Sequence, residues 1–283
     1  MLKTVDEQIL SQQIEDLMVL RNLRGMKTVQ PALQPGYYRR AAELLRNCRG
    51  HVLIGTGFPV VKTFETDGPV GTIALYNTLE NLGAIPVIVC GPPISRVFNK
   101  DFRVYEIHVG PHQHQHQTEA LQALVQYQPE VIVSIERPGQ TADGNYYNIR
   151  GENISERTAC FDSFITNAGC PTIGIGDGGN EIGMGNVAAA LENLDIIPSV
   201  TRVDELLIAD VSNWGAYGLI AFLSLWTGID LLEKISPRNI LKYLSERGSV
   251  DGITVRNSLT EDGLDSDEGE KVLLQLRRLI GTI

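Results

Sequence analysis

Between residues 51 and 210, short apolar runs alternate with longer stretches of helical periodicity, and this alternation restricts the possible folds more than any other feature. The strand candidates are residues 51–55, 85–90, 104–109, 130–135, 172–175 and 206–210, most of them continuous runs of Val and Ile. Strands of that kind are buried on both faces, the situation in a parallel sheet covered by helices. Helices are expected at 70–82, 118–127, 155–168, 184–194 and 217–227, between or after the strands. The spacing predicts a doubly wound α/β architecture with a mostly parallel sheet.

The flanks read as helices that complete this core. Ile9, Ile14, Leu17 and Leu20 recur at helical spacing over 6–21; residues 25–35 hold a glycine and two prolines and read as a connector; 36–47 is helical again. Near the other end, Ser236 precedes a helix over 237–247, and a second over 267–280 follows Ser266, with Asp267 and Glu270 at capping-box spacing. One domain is expected over 1–283, made of an N-terminal helix and connector (1–35), a sheet core with its loops (36–235) and C-terminal helices (236–283).

Charge and composition exclude several classes of function. With 43% hydrophobic and 20% charged residues the chain can bury a sizeable core, and a net charge of −10 opposes nucleic acid and anionic membrane surfaces. No apolar run reaches the length of a membrane span. The first ten residues carry neither a secretory nor a transit signature, so the expectation is a cytoplasmic protein. Cys48, Cys90, Cys160 and Cys170 form no CxxC pair and read as buried thiols.

In an open parallel sheet, ligands bind where the loops leave the carboxyl ends of the strands. The polar residues that composition does not explain lie in those loops: ETDGPVG at 65–71, IERPGQTADGNYYNIRG at 135–151, GIGDGGNEIGMGN at 174–186 and SNWGAYG at 212–218. Gly174, Gly176 and Gly179 satisfy GxGxxG, a Rossmann-like signature, but Asp177 and Glu181 in the same loop would oppose a pyrophosphate. No nucleotide cofactor is therefore expected, and a tight turn against neighbouring backbone is the alternative reading of these glycines. Glu65, Asp67, Glu136, Asp143, Asp177 and Glu181 could together supply hard oxygen ligands for Mn²⁺ or Mg²⁺. His112, His114 and His116 alternate in PHQHQHQ, which on an extended segment would align three imidazoles, although a surface loop suits them better. There is no GxSxG elbow and no Walker A lysine, which disfavours an acyl-enzyme.

The same four motifs, in the same order, resemble the D-glutamate cyclase C-terminal domain family, from about residue 30 to the end of the chain. The resemblance implies a lyase that dehydrates D-glutamate to 5-oxo-D-proline, or acts on a related amino acid. It also implies a small-molecule substrate, with no nucleic acid or membrane partner, and either a homo-oligomer or a separate partner domain like the one joined to it in the animal enzyme. An ammonium is no nucleophile, so a carboxylate must take its proton, and Asp177 or Glu181 is the expected base. Glu136 and Arg137 join them as catalytic candidates, an arginine being able to hold oxyanion charge, and Glu65 and Asp67 are expected to hold a metal. Asp143, Asn145, Tyr146, Asn148, Arg150, Gly178, Gly179, Asn180, Asn213 and Trp214 are the substrate-binding candidates. A phosphate- or nucleotide-binding enzyme and a noncatalytic binding subunit are the alternatives.

Overall fold

The computed structural model describes residues 6–111 and 113–283. Six parallel strands form the central sheet: β1 (His51–Thr56), β2 (Ile85–Cys90), β3 (Val104–Glu106), β4 (Val131–Ile135), β5 (Thr172–Gly176) and β6 (Glu205–Ile208). Their spatial order is β3-β2-β1-β4-β5-β6, the order of the doubly wound nucleotide-binding folds. Strand order reverses between β1 and β4, which pair in the register Val52↔Val131 to Thr56↔Ile135.

Side chains alternate across the sheet, as extended backbone demands. Val52 and Ile54 of β1, Ile88 of β2 and Val133 of β4 join one core cluster, and Leu53, Val87, Val89 and Ile132 join the other. The first and larger cluster is covered by α1 (Glu7–Met18), α2 (Tyr37–Leu45), α3 (Pro69–Asn81) and α5 (Ser212–Thr227), with α6 (Pro237–Ser245) and α7 (Ser266–Leu279) outside them. The second lies under α4 (Gln113–Tyr127) and Phe161 and Phe164. Helices thus cover both faces of the sheet.

Helix α5 is buried on every side from Ser212 to Ser224. Its glycines permit that: a β-carbon on Gly218 would stand 2.5 Å from the Tyr38 ring, and one on Gly215 would stand 2.5 Å from Ile175 Cγ2. A helix packed this closely between α2 and the sheet has its N-terminus fixed against the carboxyl ends of β1, β4 and β5.

Two predicted helices are largely absent. Residues 155–168 contain only the 3₁₀ turn Ser155–Arg157 and the short helix Asp162–Thr166, and 184–194 contain the 3₁₀ turn Met184–Val187 and one turn, Ala188–Leu191. In the first, Ala159 bridges to Val109 and its carbonyl accepts from Arg137, which keeps the chain extended there. In the second, Gly183 has φ +103° and a β-carbon on Gly185 would stand 2.3 Å from the Val200 carbonyl oxygen. Backbone contacts of that closeness outweigh the helical periodicity.

Candidate active site

Three carboxylates converge at the point where strand order reverses. Asp67 lies between β1 and α3, Glu136 directly follows β4, and Asp177 directly follows β5. All three are buried, and each offers an oxygen within 4.8 Å of the others.

The first turn of α5 holds them in place. Asp67 Oδ1 accepts the Asn213 and Gly68 amides, both at 2.8 Å, and Oδ2 accepts the Ser212 amide at 2.9 Å. The Ser212 amide also reaches Asp177 Oδ2 at 3.2 Å, and the Ser212 hydroxyl donates to Glu136 Oε2 at 2.6 Å. These are amides that a helix leaves without an internal partner, at the end where its dipole favours negative charge. Glu136 adopts φ +47°, a left-handed conformation that costs a non-glycine residue energy and turns its side chain into the cluster.

One cation lies among the acids. Arg24, from the connector after α1, donates through Nη2 to Asp177 Oδ2, to Asp262 Oδ2 at 2.6 Å and to the Asp210 carbonyl at 2.7 Å. Asp262 arrives from a hairpin of Thr260–Glu261 and Leu264–Asp265, at φ +52°. Its buried neighbour Glu261 accepts from Asn213 Nδ2 at 2.7 Å and Trp214 Nε1 at 2.9 Å.

A cavity of about 100 Å³ opens onto this cluster. Arg24, Glu65, Glu136, Asp177, Glu181 and Asp262 line it, with Phe58, Pro59 and Ile253 as apolar wall. Burial, reinforced by the neighbouring acids, pushes Glu65, Asp67 and Glu136 well above the usual carboxylate range. Burial also raises Asp177, although Arg24 pulls it back, and lifts Asp262 to about 7 against the same arginine. Burial opposes the charge on Arg24 itself, yet the surrounding carboxylates outweigh it and raise its pKa. A site with this excess of acid over base takes up protons, a metal ion or an ammonium group.

Of the residues expected from sequence, Glu65, Glu136, Asp177, Glu181, Gly178, Asn180, Asn148 and Arg150 border the cavity. Asp67 stands behind them against Glu136 and Asp177, so the carboxylates grouped for an ion are Asp67, Glu136 and Asp177 and not the expected pair Glu65 and Asp67. Glu181 turns back on its own loop, accepting the Gly178 amide at 2.8 Å and the Gly179 amide at 2.7 Å, which occupies the donors a pyrophosphate would need.

Several candidates lie elsewhere. Arg137 donates to the carbonyls of Thr56 at 3.2 Å, Gly57 at 2.6 Å and Ala159, and so ties the end of β1 to the 158–160 segment, away from the cavity. Asp143 is exposed and bonds Thr141, Asn145 and Tyr147 within its own loop. The Tyr146 hydroxyl donates to Asp162 at 2.8 Å. Asn213 and Trp214 lie behind the acids, holding Glu261. The histidines start helix α4, where His114 is exposed and His116 buried; two positions on a helix are about 200° apart, so they cannot share an ion as an extended segment would allow. His112 lies outside the described residues.

Arg24 and Asp262 are the site residues that sequence reasoning missed. Arg24 sits in a stretch without periodicity, and Asp262-Gly263 is the dipeptide of a tight hairpin, so an acid there reads as a turn residue.

A family model described as D-glutamate cyclase-like, C-terminal, matches residues 14–277. The human protein named D-glutamate cyclase, mitochondrial, is 35% identical over 201 residues, which cover 61% of this chain and 32% of that protein; the chain therefore spans about a third of that relative's length. Among solved structures, an exopolyphosphatase-related protein from Bacteroides fragilis aligns with a TM-score of 0.41 and 10% identity over 88% of this chain and 61% of that one. The family match takes in the whole sheet and every carboxylate of the cluster, and by it this chain belongs to the D-glutamate cyclase-like, C-terminal family.

Proposed function

We propose that this chain is a lyase that closes D-glutamate to 5-oxo-D-proline and water. The observation that carries the reading is the convergence of Asp67, Glu136 and Asp177 beside a cavity whose buried charged lining residues, Glu65, Glu136, Asp177 and Glu181, are carboxylates. An anionic phosphate ligand would meet those carboxylates; a substrate ammonium is attracted to them.

In the reaction the amine nitrogen bonds to the side-chain carboxyl carbon, one carbon–oxygen bond breaks, and two protons pass from nitrogen to the departing oxygen. Glu65 is the carboxylate we assign to that transfer. It is buried, borders the cavity and accepts no hydrogen bond from the described residues, so it meets whatever enters. Asp177 holds the ammonium side of the site through its place between Arg24 and Ser212. Asn148 and Asn180 offer polar edges that orient the substrate. Asp67, Glu136 and Asp177 fit a hard divalent cation, Mn²⁺ or Mg²⁺, by oxygen chemistry, mutual reach and an excess of acid that Arg24 offsets only in part. Such an ion would polarise the carboxyl group under attack. The four cysteines are free, which supports a reducing compartment, and we keep the cytoplasm as its place of work.

The test is an NMR time course with D-glutamate and then L-glutamate, with and without Mn²⁺ or Mg²⁺. The expected result is 5-oxo-D-proline from the D-isomer, lost in Asp177→Asn while the fold survives. Absence of lactam under every condition, from protein shown to be folded, overturns the reading.

A further inference from the structure

The acid end of the cavity accounts for only part of an amino-acid substrate. Ring closure joins the amine to the side-chain carboxyl, so both reacting groups must lie among Glu65, Glu136 and Asp177. The α-carboxylate takes no part in bond making, and a second substrate carboxylate at that end would add to the repulsion already met by the reacting one. It must therefore point the other way.

The buried members of the lining, Glu65, Glu136 and Asp177, mark the inner end of the cavity, and its exposed members mark the mouth. At the mouth stand Arg150 and Arg157. Arg150 donates one hydrogen bond, from Nη2 to the Ile253 carbonyl at 3.2 Å, and pairs with no carboxylate. The Arg157 guanidinium makes no hydrogen bond and no ion pair with any described residue. The one acid beside them on the mouth, Glu152, accepts Asn148 Nδ2 at 2.6 Å. What sets these two guanidinium groups apart is their place: both stand, with no carboxylate partner among the described residues, at the entrance to an acidic cavity.

We infer that Arg157, assisted by Arg150, binds the α-carboxylate of the substrate and so determines which amino acids, and which enantiomer, the site accepts. This rests on the cyclase reading for the orientation of the substrate. Guanidinium matches a carboxylate through two parallel N–H donors. With the amine and the side-chain carboxyl held at the inner end, an anchored α-carboxylate supplies the third point that chirality requires. Arg157 acts on binding and not on the bond changes, so its loss should appear in KM and Kd with kcat little changed.

The experiment compares wild type, Arg157→Met, Arg157→Lys and Arg150→Met by steady-state kinetics with D-glutamate and by calorimetric titration with D-glutamate and with γ-aminobutyrate, which lacks the α-carboxylate. Arg157→Met is expected to raise KM and Kd for D-glutamate about thirtyfold, the ordinary worth of hydrogen bonds to a charged group. Arg157→Lys should recover part of the loss, Arg150→Met should show a smaller one, and γ-aminobutyrate should bind wild type and Arg157→Met equally. If Arg157→Met stays within twofold of wild type for D-glutamate, or weakens γ-aminobutyrate as much, the inference fails. Should wild type bind D-glutamate without turning it over, the cyclase reading falls and the Kd series alone decides for or against Arg157. Should it neither bind nor convert D-glutamate, both fall.

Discussion

Arg24 brings a positive charge to a point where Asp177 and Asp262 would otherwise face each other, and both acids depend on it. Its side chain is 14% exposed, so the pair is largely desolvated and removing one partner leaves a buried charge uncompensated. Arg24→Met is therefore expected to destabilise the protein by about 3 kcal/mol at pH 8, read from the urea midpoint. At pH 6, where protons neutralise part of the cluster, the loss should shrink. An equal loss at both pH values would mean that Arg24 stabilises through its packing and not its charge. At this scale the acids that converge carried a signal in the sequence and the arginines beside them did not. Asp67, Glu136 and Asp177 stand in glycine-rich loops at strand ends, a position with a chemical meaning. Arg24 stands in a connector, and Arg157 in a segment read as helix, so neither carried a signal of its function.

At the scale of elements, helix α5 organises the site, since its first two amides bind Asp67 and its first hydroxyl binds Glu136. Its position depends on close packing against α2. Gly218→Ala would place a methyl group 2.5 Å from the Tyr38 ring, a clash with two rigid elements, and is expected to destabilise by about 2 kcal/mol in a denaturant titration. Gly169→Ala, where no atom lies within 4 Å, serves as the control and should leave the midpoint unchanged. If both variants behave alike, the packing argument is wrong. The strands were legible from sequence because runs of Val and Ile have few other uses in a chain of this size. The segments 155–168 and 184–194 were not, because what ends a helix there is contact with distant residues: Val109 and Arg137 for the first, Val200 for the second.

At the scale of the whole molecule, the buried acids make stability depend on pH and on cations. Glu261 illustrates the direction: burial, against the hydrogen bonds from Trp214 and Asn213, raises its pKa from 4.5 to about 7 in the folded protein. A group raised in this way contributes its stability below the unfolded value and loses it as pH rises through about 7. Glu65, Asp67 and Glu136 shift in the same direction, also through burial. The metal-free protein is therefore expected to melt at a lower temperature at pH 8 than at pH 6. Protons and a divalent ion compete for the same oxygens, so Mn²⁺ should raise the melting temperature more at pH 8 than at pH 6. A melting temperature indifferent to both pH and Mn²⁺ would count against the cluster as a cation site.

By itself the sequence determined the doubly wound class, the strands and the loops that carry acids, because burial on two faces and glycine beside a carboxylate are properties written residue by residue. Only the tertiary structure decided which acids meet. Asp67, Glu136 and Asp177 come together because β1, β4 and β5 are neighbours in the sheet and α5 points its N-terminus at their ends. Strand order pairs residues such as Val52 and Val131, and the entry of Arg24 from the connector and of Asp262 from the far hairpin are contacts between residues more than 150 positions apart, 153 for Arg24 and Asp177 and 238 for Arg24 and Asp262. Local periodicity and turn chemistry act over a few residues, and what joins these groups is the packing of whole elements.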